Sequence, residues 1–343
     1  MLPRRRIVIE KPGSYERIKI DETPIEDPAP GEIQVAIKAC GINFADICVR
    51  LGLYAAAKGL YPLCPGLEFA GIVSRTGAGV HNFQPGDRVF GVSRFGAYST
   101  VINAISEHLW HLPPDWDFAR GAAFPAAYLT AFYALHHVGH LHPRDRVLVH
   151  SAAGGVGTAL LHLLKSNGNL TAGAVGHSDK VVFARRAGAD LVIDTGKEPL
   201  WETAEEWSPE GYDLILDANG ASTLKQSYRH LKPGGRLLIY GFASLLSHTG
   251  KKNYLKLLWY YFKTPRFNPF DLTSTNRTVS GFNLIYLFER KKFFREIMDT
   301  VLQWEQVGKL PKMPMKTYPF EEAAAAHRDM ESGKTVGKLV LRT

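Results

Sequence analysis

The chain has 343 residues, of which 45% are hydrophobic and 22% charged, as in an ordinary globular protein of about two domains. Its three cysteines, Cys40, Cys48 and Cys64, are too few for a disulfide framework or a four-cysteine metal site, and no apolar run reaches the ~18 residues of a membrane span. The net charge of +8 favours anionic partners, such as nucleotides or an anionic membrane surface, although a solvated basic surface explains it equally well. Few cysteines and no recognisable signal peptide predict a cytoplasmic protein.

The first part of the chain, to about residue 122, is predicted to be rich in β-structure. Short runs of β-favouring residues at 33–37, 70–74 and 88–92 are separated by turns that contain glycine and proline. Short strands joined in this way predict a folded-over barrel or sandwich.

From about residue 123 the pattern changes, because strand-like runs now alternate with stretches of helical length. This alternation predicts an α/β fold with a parallel sheet covered on both faces, and six strands suffice for a complete dinucleotide-binding domain. The predicted strands are 147–149, 171–175, 191–194, 214–217, 236–240 and 277–281. The last segment, 320–343, predicts a strand, a helix over 321–331 and a strand over 338–342 that return to the first domain. We therefore expect one domain at 1–122 and 285–343, and a second at 123–284.

A turn of small residues follows the first strand of the predicted parallel sheet and opens a helix. In the sequence Ala152-Ala153-Gly154-Gly155-Val156-Gly157, the lack of bulky side chains permits close approach of a pyrophosphate to the backbone. The helix N-terminus that follows offers free N–H groups and a partial positive charge. The turn therefore predicts a dinucleotide site at residues 153–157, with a plain tight turn as the alternative.

The end of the second predicted strand favours NADPH over NADH. An NAD site usually has an acidic residue about 20 residues after the glycines, but here Gly176 and His177 end the strand. Ser178 can donate a hydrogen bond to a phosphate, and Lys180 supplies a positive charge. The alternative is that Lys180 is solvated and Asp179 binds a ribose hydroxyl.

Two further segments have unusual composition. The histidines at 136, 137, 140 and 142 resemble a metal cluster, but we expect adventitious surface histidines in a loop. Residues 244–270 contain five cations and seven aromatic side chains without an acid. This segment fits a helix packed on its own domain or on a dimer partner, the wall of a large apolar pocket, or an anionic membrane surface. Nucleic-acid binding is not expected, since no recognised module is present.

Several motifs resemble the medium-chain dehydrogenase/reductase superfamily. They are Asn43-Phe44-x-Asp46 with Arg50-x-Gly52-x-Tyr54, then Pro65-Gly66-x-Glu68, Gly86-Asp87-Arg88-Val89 and the glycine turn. Zinc-dependent relatives place a cysteine and a histidine where this chain has Asn43 and Leu67, neither of which is a useful zinc ligand. The chain thus resembles the zinc-independent, quinone oxidoreductase-like branch, and within it the vesicle amine transport protein branch, through 240–246 and 280–284. The resemblance implies a GroES-like catalytic domain and a Rossmann domain.

The resemblance also implies a function and site residues. Without a metal, hydride transfer from NADPH to a quinone or an α,β-unsaturated carbonyl is the expected reaction, with a small apolar substrate in the cleft between the domains. The resemblance assigns Asn43 and Tyr54 to catalysis, although Tyr54 could be a packing residue and Asn43 a turn-stabilising one. Many quinone oxidoreductases have a tyrosine at the position of Thr195, and the absence of that tyrosine here weakens the preference for NADPH.

The resemblance further implies a homodimer. The alternative function is that of an NADPH-binding protein that acts at membranes with little catalysis. The implied cofactor contacts outside the glycine turn and residues 178–180 are Thr130, Asn219, Gly241 and Phe282.

Overall fold

The structure is a computed structural model and describes residues 2–245 and 253–343. Two large sheets and a separate antiparallel pair organise these residues. The strands in chain order are β1 (Leu2–Ile9), β2 (Ile18–Ile25), β3 (Glu32–Ile42), β4 (Glu68–Thr76), β5 (Arg88–Val92), β6 (Val101–Ile105), β7 (Leu109–His111), β8 (Arg146–Val149), β9 (Leu170–Val175), β10 (Leu191–Asp194), β11 (Tyr212–Asp217), β12 (Leu231–Ile239), β13 (Thr278–Gly281), β14 (Met315–Pro319) and β15 (Lys338–Arg342).

Helices connect and cover these strands. In chain order they are α1 (Phe44–Leu51), α2 (Phe118–Ala123), α3 (Pro125–Phe132), α4 (Gly155–Ser166), α5 (Val181–Ala187), α6 (Leu200–Trp207), α7 (Leu224–Arg229), α8 (Tyr254–Lys263), α9 (Pro269–Thr275), α10 (Lys291–Gln306) and α11 (Ala323–Glu331). No helix in the described ranges is both long and apolar enough to cross a bilayer.

The first large sheet has seven strands and is mostly antiparallel. Its order is β14-β15-β3-β4-β5-β7, with β6 paired to the first half of β3. The long β3 is buried along most of its length, because β4 covers one edge while β6 and β15 share the other. The C-terminal strands β14 and β15 therefore belong to the sheet that the N-terminal third builds, as the sequence predicted.

The second sheet is entirely parallel, and its six strands have the order β10-β9-β8-β11-β12-β13. Counted along the chain this is 3-2-1-4-5-6, the order of a doubly wound dinucleotide-binding domain. The strands are short and apolar because helices bury both faces of the sheet. The order reverses between β8 and β11, and a crevice for a ligand lies at the carboxyl ends of strands at such a reversal.

Each of the six strands predicted from alternation is present, displaced by only a few residues at its ends. The first domain contains more strands than predicted, since β1, β2, β6 and β7 were missed. The expected loop around the histidines is wrong in part: His136 and His137 lie on a π-helical turn, Tyr133–Val138, that continues α3. On this turn the His136 ring packs against the Phe132 and Trp304 rings, with 4.3 Å and 5.9 Å between ring centres. The exact domain boundaries stay a prediction.

Candidate functional site

The glycine turn leaves β8 and enters α4 at the reversal point of the parallel sheet. Gly157 is required for packing, because a Cβ there would lie 2.3 Å from the carbonyl oxygen of Ser151. Gly154 is the N-cap of α4, and a Cβ there would meet its nearest protein atom at 3.4 Å, which is an ordinary contact. Space above Gly154 is therefore open to a ligand, as a pyrophosphate-binding turn requires.

The neighbouring strand end, after β11, lies against this turn. The Ser151 hydroxyl donates to the Asn219 side-chain oxygen over 2.8 Å, and the Asp217 carboxylate accepts from the Asn219 N–H over 2.8 Å. Gly241, after β12, lies so close that a Cβ would be 2.8 Å from the carbonyl oxygen of Ala218. The structure thus brings the predicted residues Asn219 and Gly241 together with the glycine turn at one edge of the sheet.

An acid that the sequence prediction overlooked lies at the predicted phosphate site. The Ser178 hydroxyl donates to Asp194 Oδ2 over 2.6 Å, and this bond is the main cause that lowers the pKa of Asp194. The end of β9 itself carries no acid, but β10 runs beside β9 and its last residue, Asp194, comes next to Ser178. Lys180 is half-buried, and burial lowers the pKa of its ammonium group. An anion at Lys180 would compensate this loss of hydration.

Asn43 and Asp46 lie at the N-terminus of α1, which follows β3. The Asp46 carboxylate accepts hydrogen bonds from the Asn43 N–H over 2.8 Å and the Gly66 N–H over 3.0 Å. Burial raises the pKa of Asp46 to about 6, although these N–H groups oppose the shift. Asp46 therefore fixes the start of α1 and the backbone of Gly66, which explains the spacing Asn43-x-x-Asp46 and the adjacent Pro65-Gly66.

A buried ion pair that sequence analysis missed orients the Asn43 side chain. Lys338 Nζ pairs with Glu68 Oε1, and the two side chains are 3% and 0% exposed. The same ammonium donates to Asn43 Oδ1 over 2.7 Å, while Asn43 Nδ2 donates to Glu68 Oε1 over 2.8 Å. Oxygen and nitrogen of the amide thus each have a charged partner, which leaves one N–H of Asn43 for a ligand.

Lys338 also connects the ion pair to the glycine turn. Its alkyl chain covers Gly155, where a Cβ would lie 2.6 Å from Lys338 Cδ, and the preceding Gly337 N–H donates to the Ala153 oxygen over 2.8 Å. Glu68 Oε2 accepts from the Ala126 N–H at the start of α3 over 2.8 Å. One buried pair therefore holds Asn43, the glycine turn and the helix that carries Thr130 in a fixed arrangement.

Tyr54 bonds to the segment that follows the last strand of the parallel sheet. Its hydroxyl donates to Asn283 Oδ1 over 2.9 Å, and Asn283 lies just after β13, the last strand of the parallel sheet. Burial raises the pKa of Tyr54, so the phenol stays protonated at neutral pH. The adjacent Phe282 packs edge-on to the Tyr133 ring at 4.9 Å. Thr130 donates its hydroxyl to the Ala126 oxygen of its own helix over 2.6 Å, which leaves its lone pairs for a ligand.

The positions that hold zinc in related dehydrogenases carry Asn43 and Leu67, and Asn43 is already bound to Lys338 and Glu68. Within residues 2–245 and 253–343, no group of three or more histidine, cysteine or carboxylate side chains could hold a metal ion. The dinucleotide fits better, since the open space above Gly154 and the burial of Lys180 are both features that an anionic ligand would use.

Comparison with known proteins agrees with this fold. Residues 29–114 match the alcohol dehydrogenase GroES-like domain, and residues 187–341 match the zinc-binding dehydrogenase family. The zebrafish synaptic vesicle membrane protein VAT-1 homolog is 33% identical over 341 residues, which are 99% of this chain and 70% of the relative. The human VAT-1 homolog is 32% identical over 98% of this chain and 86% of its own length.

Two solved structures extend the comparison. Escherichia coli quinone oxidoreductase complexed with NADPH has a TM-score of 0.86 and 31% identity, and the match covers 99% of this chain and 100% of that one. The CurK enoyl reductase has a TM-score of 0.83 and 26% identity, with 99% of each chain covered. The chain belongs to the zinc-independent, quinone oxidoreductase-like branch of the medium-chain dehydrogenase/reductase superfamily, in the group of the VAT-1 homologues.

Proposed function

We propose that the protein is an NADPH-dependent oxidoreductase that reduces quinones or α,β-unsaturated carbonyls without a metal. The observation that carries the proposal is the link between Asn43 and the glycine turn: Lys338 binds the Asn43 amide oxygen, and its alkyl chain covers Gly155 of that turn. When bound, NADPH supplies a hydride from C4 of its nicotinamide ring.

The protein's part is to bind the acceptor and stabilise the negative charge that develops on its oxygen. Tyr54 and the free N–H of Asn43 are neutral donors suited to that charge, and such a donor is typically worth about 10²–10³ in rate. Lys338 and Glu68 keep the Asn43 amide from rotating, so its N–H needs no reorganisation during the reaction. A conjugated acceptor suits this site, because its oxygen is remote from the carbon that receives the hydride.

The change Tyr54→Phe tests the catalytic assignment. We expect kcat for a benzoquinone to fall by about 10²–10³ while NADPH affinity stays unchanged, because only the hydroxyl is lost. The matched control is Tyr286→Phe, which removes a hydroxyl from a nearby tyrosine that is 59% exposed. Steady-state rates of NADPH oxidation give the answer, and equal kcat values for the three proteins would remove Tyr54 from the reaction.

Lys180→Ala tests the preference for NADPH. Loss of one phosphate contact is expected to weaken NADPH binding about tenfold, or about 1.4 kcal/mol, and to leave NADH binding unchanged. Arg186→Ala removes an equal charge from the last turn of α5 and is the control. Fluorescence titration of the reduced nicotinamide measures both affinities. A parallel loss for NADH and NADPH would contradict a role for Lys180 at the 2′-phosphate.

A second function, at anionic membrane surfaces, is favoured by the exposed face of α8. Leu255, Trp259 and Phe262 lie on one face of this helix and are 82%, 54% and 75% exposed. Lys256 and Lys263 flank that face, and residues 244–270 contain no acid. Basic and aromatic side chains on one exposed helix suit the surface of an anionic bilayer. Lys251 and Lys252, which belong to the same basic segment, lie outside the described residues.

Vesicle co-sedimentation tests this second function. We expect the protein to sediment with vesicles that contain phosphatidylserine, and Leu255→Ser/Phe262→Ser to lose at least about tenfold in binding because apolar area is removed. The control pair is Val182→Ser/Val307→Ser, which removes exposed apolar groups elsewhere. Absence of vesicle binding, together with a homodimer that the α8 substitutions dissociate, would assign this face to a second copy of the chain.

A further inference from the structure

The hydrogen bond between Tyr54 and Asn283 joins the two halves of the molecule across the cleft. Tyr54 follows α1, which extends from the antiparallel sheet, whereas Asn283 follows β13 at the edge of the parallel sheet. The phenol can donate only one hydrogen bond, and in this structure it donates that bond to Asn283 Oδ1 over 2.9 Å. Tyr54 can therefore donate a hydrogen bond to a substrate oxygen only after its bond to Asn283 has broken.

Asn283 is suited to such an exchange. Its Oδ1 also accepts from the Ile285 N–H over 3.3 Å, so the side chain keeps one bond when Tyr54 turns away. Asn283 is exposed, and water can therefore replace the lost partner without leaving a buried unsatisfied group. Tyr54 itself is half-buried, and its ring lies edge-on to the Phe95 ring with 6.5 Å between the ring centres.

The chain segment behind Asn283 is anchored to the parallel sheet. Phe282 packs against the Tyr133 ring at 4.9 Å, and its N–H donates to the Ile239 oxygen at the end of β12 over 3.2 Å. The backbone beside Asn283 is therefore held in place, and the Asn283 side chain extends from it to the Tyr54 hydroxyl. On the other side of the cleft, the backbone bond from Gly337 to Ala153 joins the same two halves near the glycine turn.

We propose that Asn283 is a positioning residue whose side-chain oxygen holds the Tyr54 hydroxyl across the cleft and gives it up to the oxygen of the incoming quinone or enone. This inference rests on the proposed reductase function. Asn283 makes no contact with the reacting atoms and acts through Tyr54. Substrate binding and release of the cross-cleft bond are then a single exchange, in which one neutral hydrogen bond replaces another.

Four proteins test the proposal: the wild type, Asn283→Ala, Tyr54→Phe and the double variant. At saturating NADPH and with one benzoquinone, Asn283→Ala is expected to lower KM about 3- to 10-fold without lowering kcat, because the substrate no longer competes with an amide oxygen. In the Tyr54→Phe background the same substitution should change neither parameter. Asn283→Asp keeps the acceptor and adds a charge, so it should raise KM.

An equal effect of Asn283→Ala in both backgrounds, or no effect in either, would overturn the proposal, since Asn283 would then not act through the hydroxyl. If the wild type reduces no acceptor, the proposed function fails, and amide hydrogen exchange tests the cross-cleft bond separately. Tyr54→Phe should increase exchange in peptides from 282–290, because the Asn283 side chain loses the partner that holds it in place and its remaining bond from the Ile285 N–H weakens. Unchanged exchange there would overturn the proposal independently of activity.

Discussion

Lys338→Met is expected to lower the free energy of unfolding by about 3–5 kcal/mol, because it leaves the carboxylate of Glu68 buried without its counter-charge. The side chains of the pair are 3% and 0% exposed, so water cannot replace the ammonium. Methionine keeps the methylenes that cover Gly155, and the loss therefore reports the charge more than the packing. Two further acceptors, Asn43 Oδ1 and the Ile42 oxygen, lose a donor in the same variant.

Urea denaturation of three proteins measures this effect. Lys334→Met makes the same replacement at an exposed position four residues earlier and should change stability by less than about 0.5 kcal/mol. Adding Glu68→Gln to Lys338→Met should recover part of the loss, since glutamine is neutral and can still accept from the Ala126 N–H. A Lys338→Met protein as stable as the Lys334→Met control would show that the pair is not buried as described.

Gly154→Val is expected to weaken the binding of NADPH and NADH alike by about 100-fold, or about 2.7 kcal/mol. A side chain at this N-cap extends into the space that a pyrophosphate needs, whereas the nearest protein atom to its Cβ is 3.4 Å away. Stability should fall by only about 1 kcal/mol, the cost of a poor N-cap. The variant therefore separates ligand binding from folding.

Gly157→Ala is the comparison for this prediction. Its Cβ would lie 2.3 Å from the Ser151 oxygen and 2.8 Å from the backbone of Ala152, so the turn itself must move. We expect that variant to lose stability as well as cofactor affinity. Nicotinamide fluorescence and thermal unfolding measure the two properties. Undiminished binding of NADPH by a folded Gly154→Val protein would place the pyrophosphate elsewhere.

The parallel sheet could be predicted well from the sequence, because the pattern that indicates each of its strands and helices lies within a short stretch of the chain. A short apolar strand, a turn and a helix recur along the chain, and the glycine turn lies at the first such junction, so strand order and ligand edge follow from known topology. The antiparallel sheet was predicted less completely. Strands such as β6 alternate weakly, and their pairing with β3 depends on residues about 70 positions away.

The site contained contacts that no local pattern could predict. Glu68 and Lys338 are separated by 270 positions, and Tyr54 and Asn283 by 229. A lysine that begins an apolar strand and a glutamate within an apolar segment each suggest a buried charge, but neither indicates its partner. Asp194 was overlooked because the acid was sought at the end of β9, whereas the hydrogen bond to Ser178 comes from the adjacent β10.

The most direct test of the account is the oxidation of NADPH, followed at 340 nm with EDTA present. The acceptors are benzoquinones, naphthoquinones and alkyl enones of increasing chain length. Enzyme-dependent oxidation that survives EDTA and depends on the Tyr54 hydroxyl is the predicted result, and the trend with chain length would indicate the size of the pocket. No oxidation with any acceptor, by protein shown to bind NADPH, would contradict the reductase function and leave the membrane-binding role of α8 as the leading proposal.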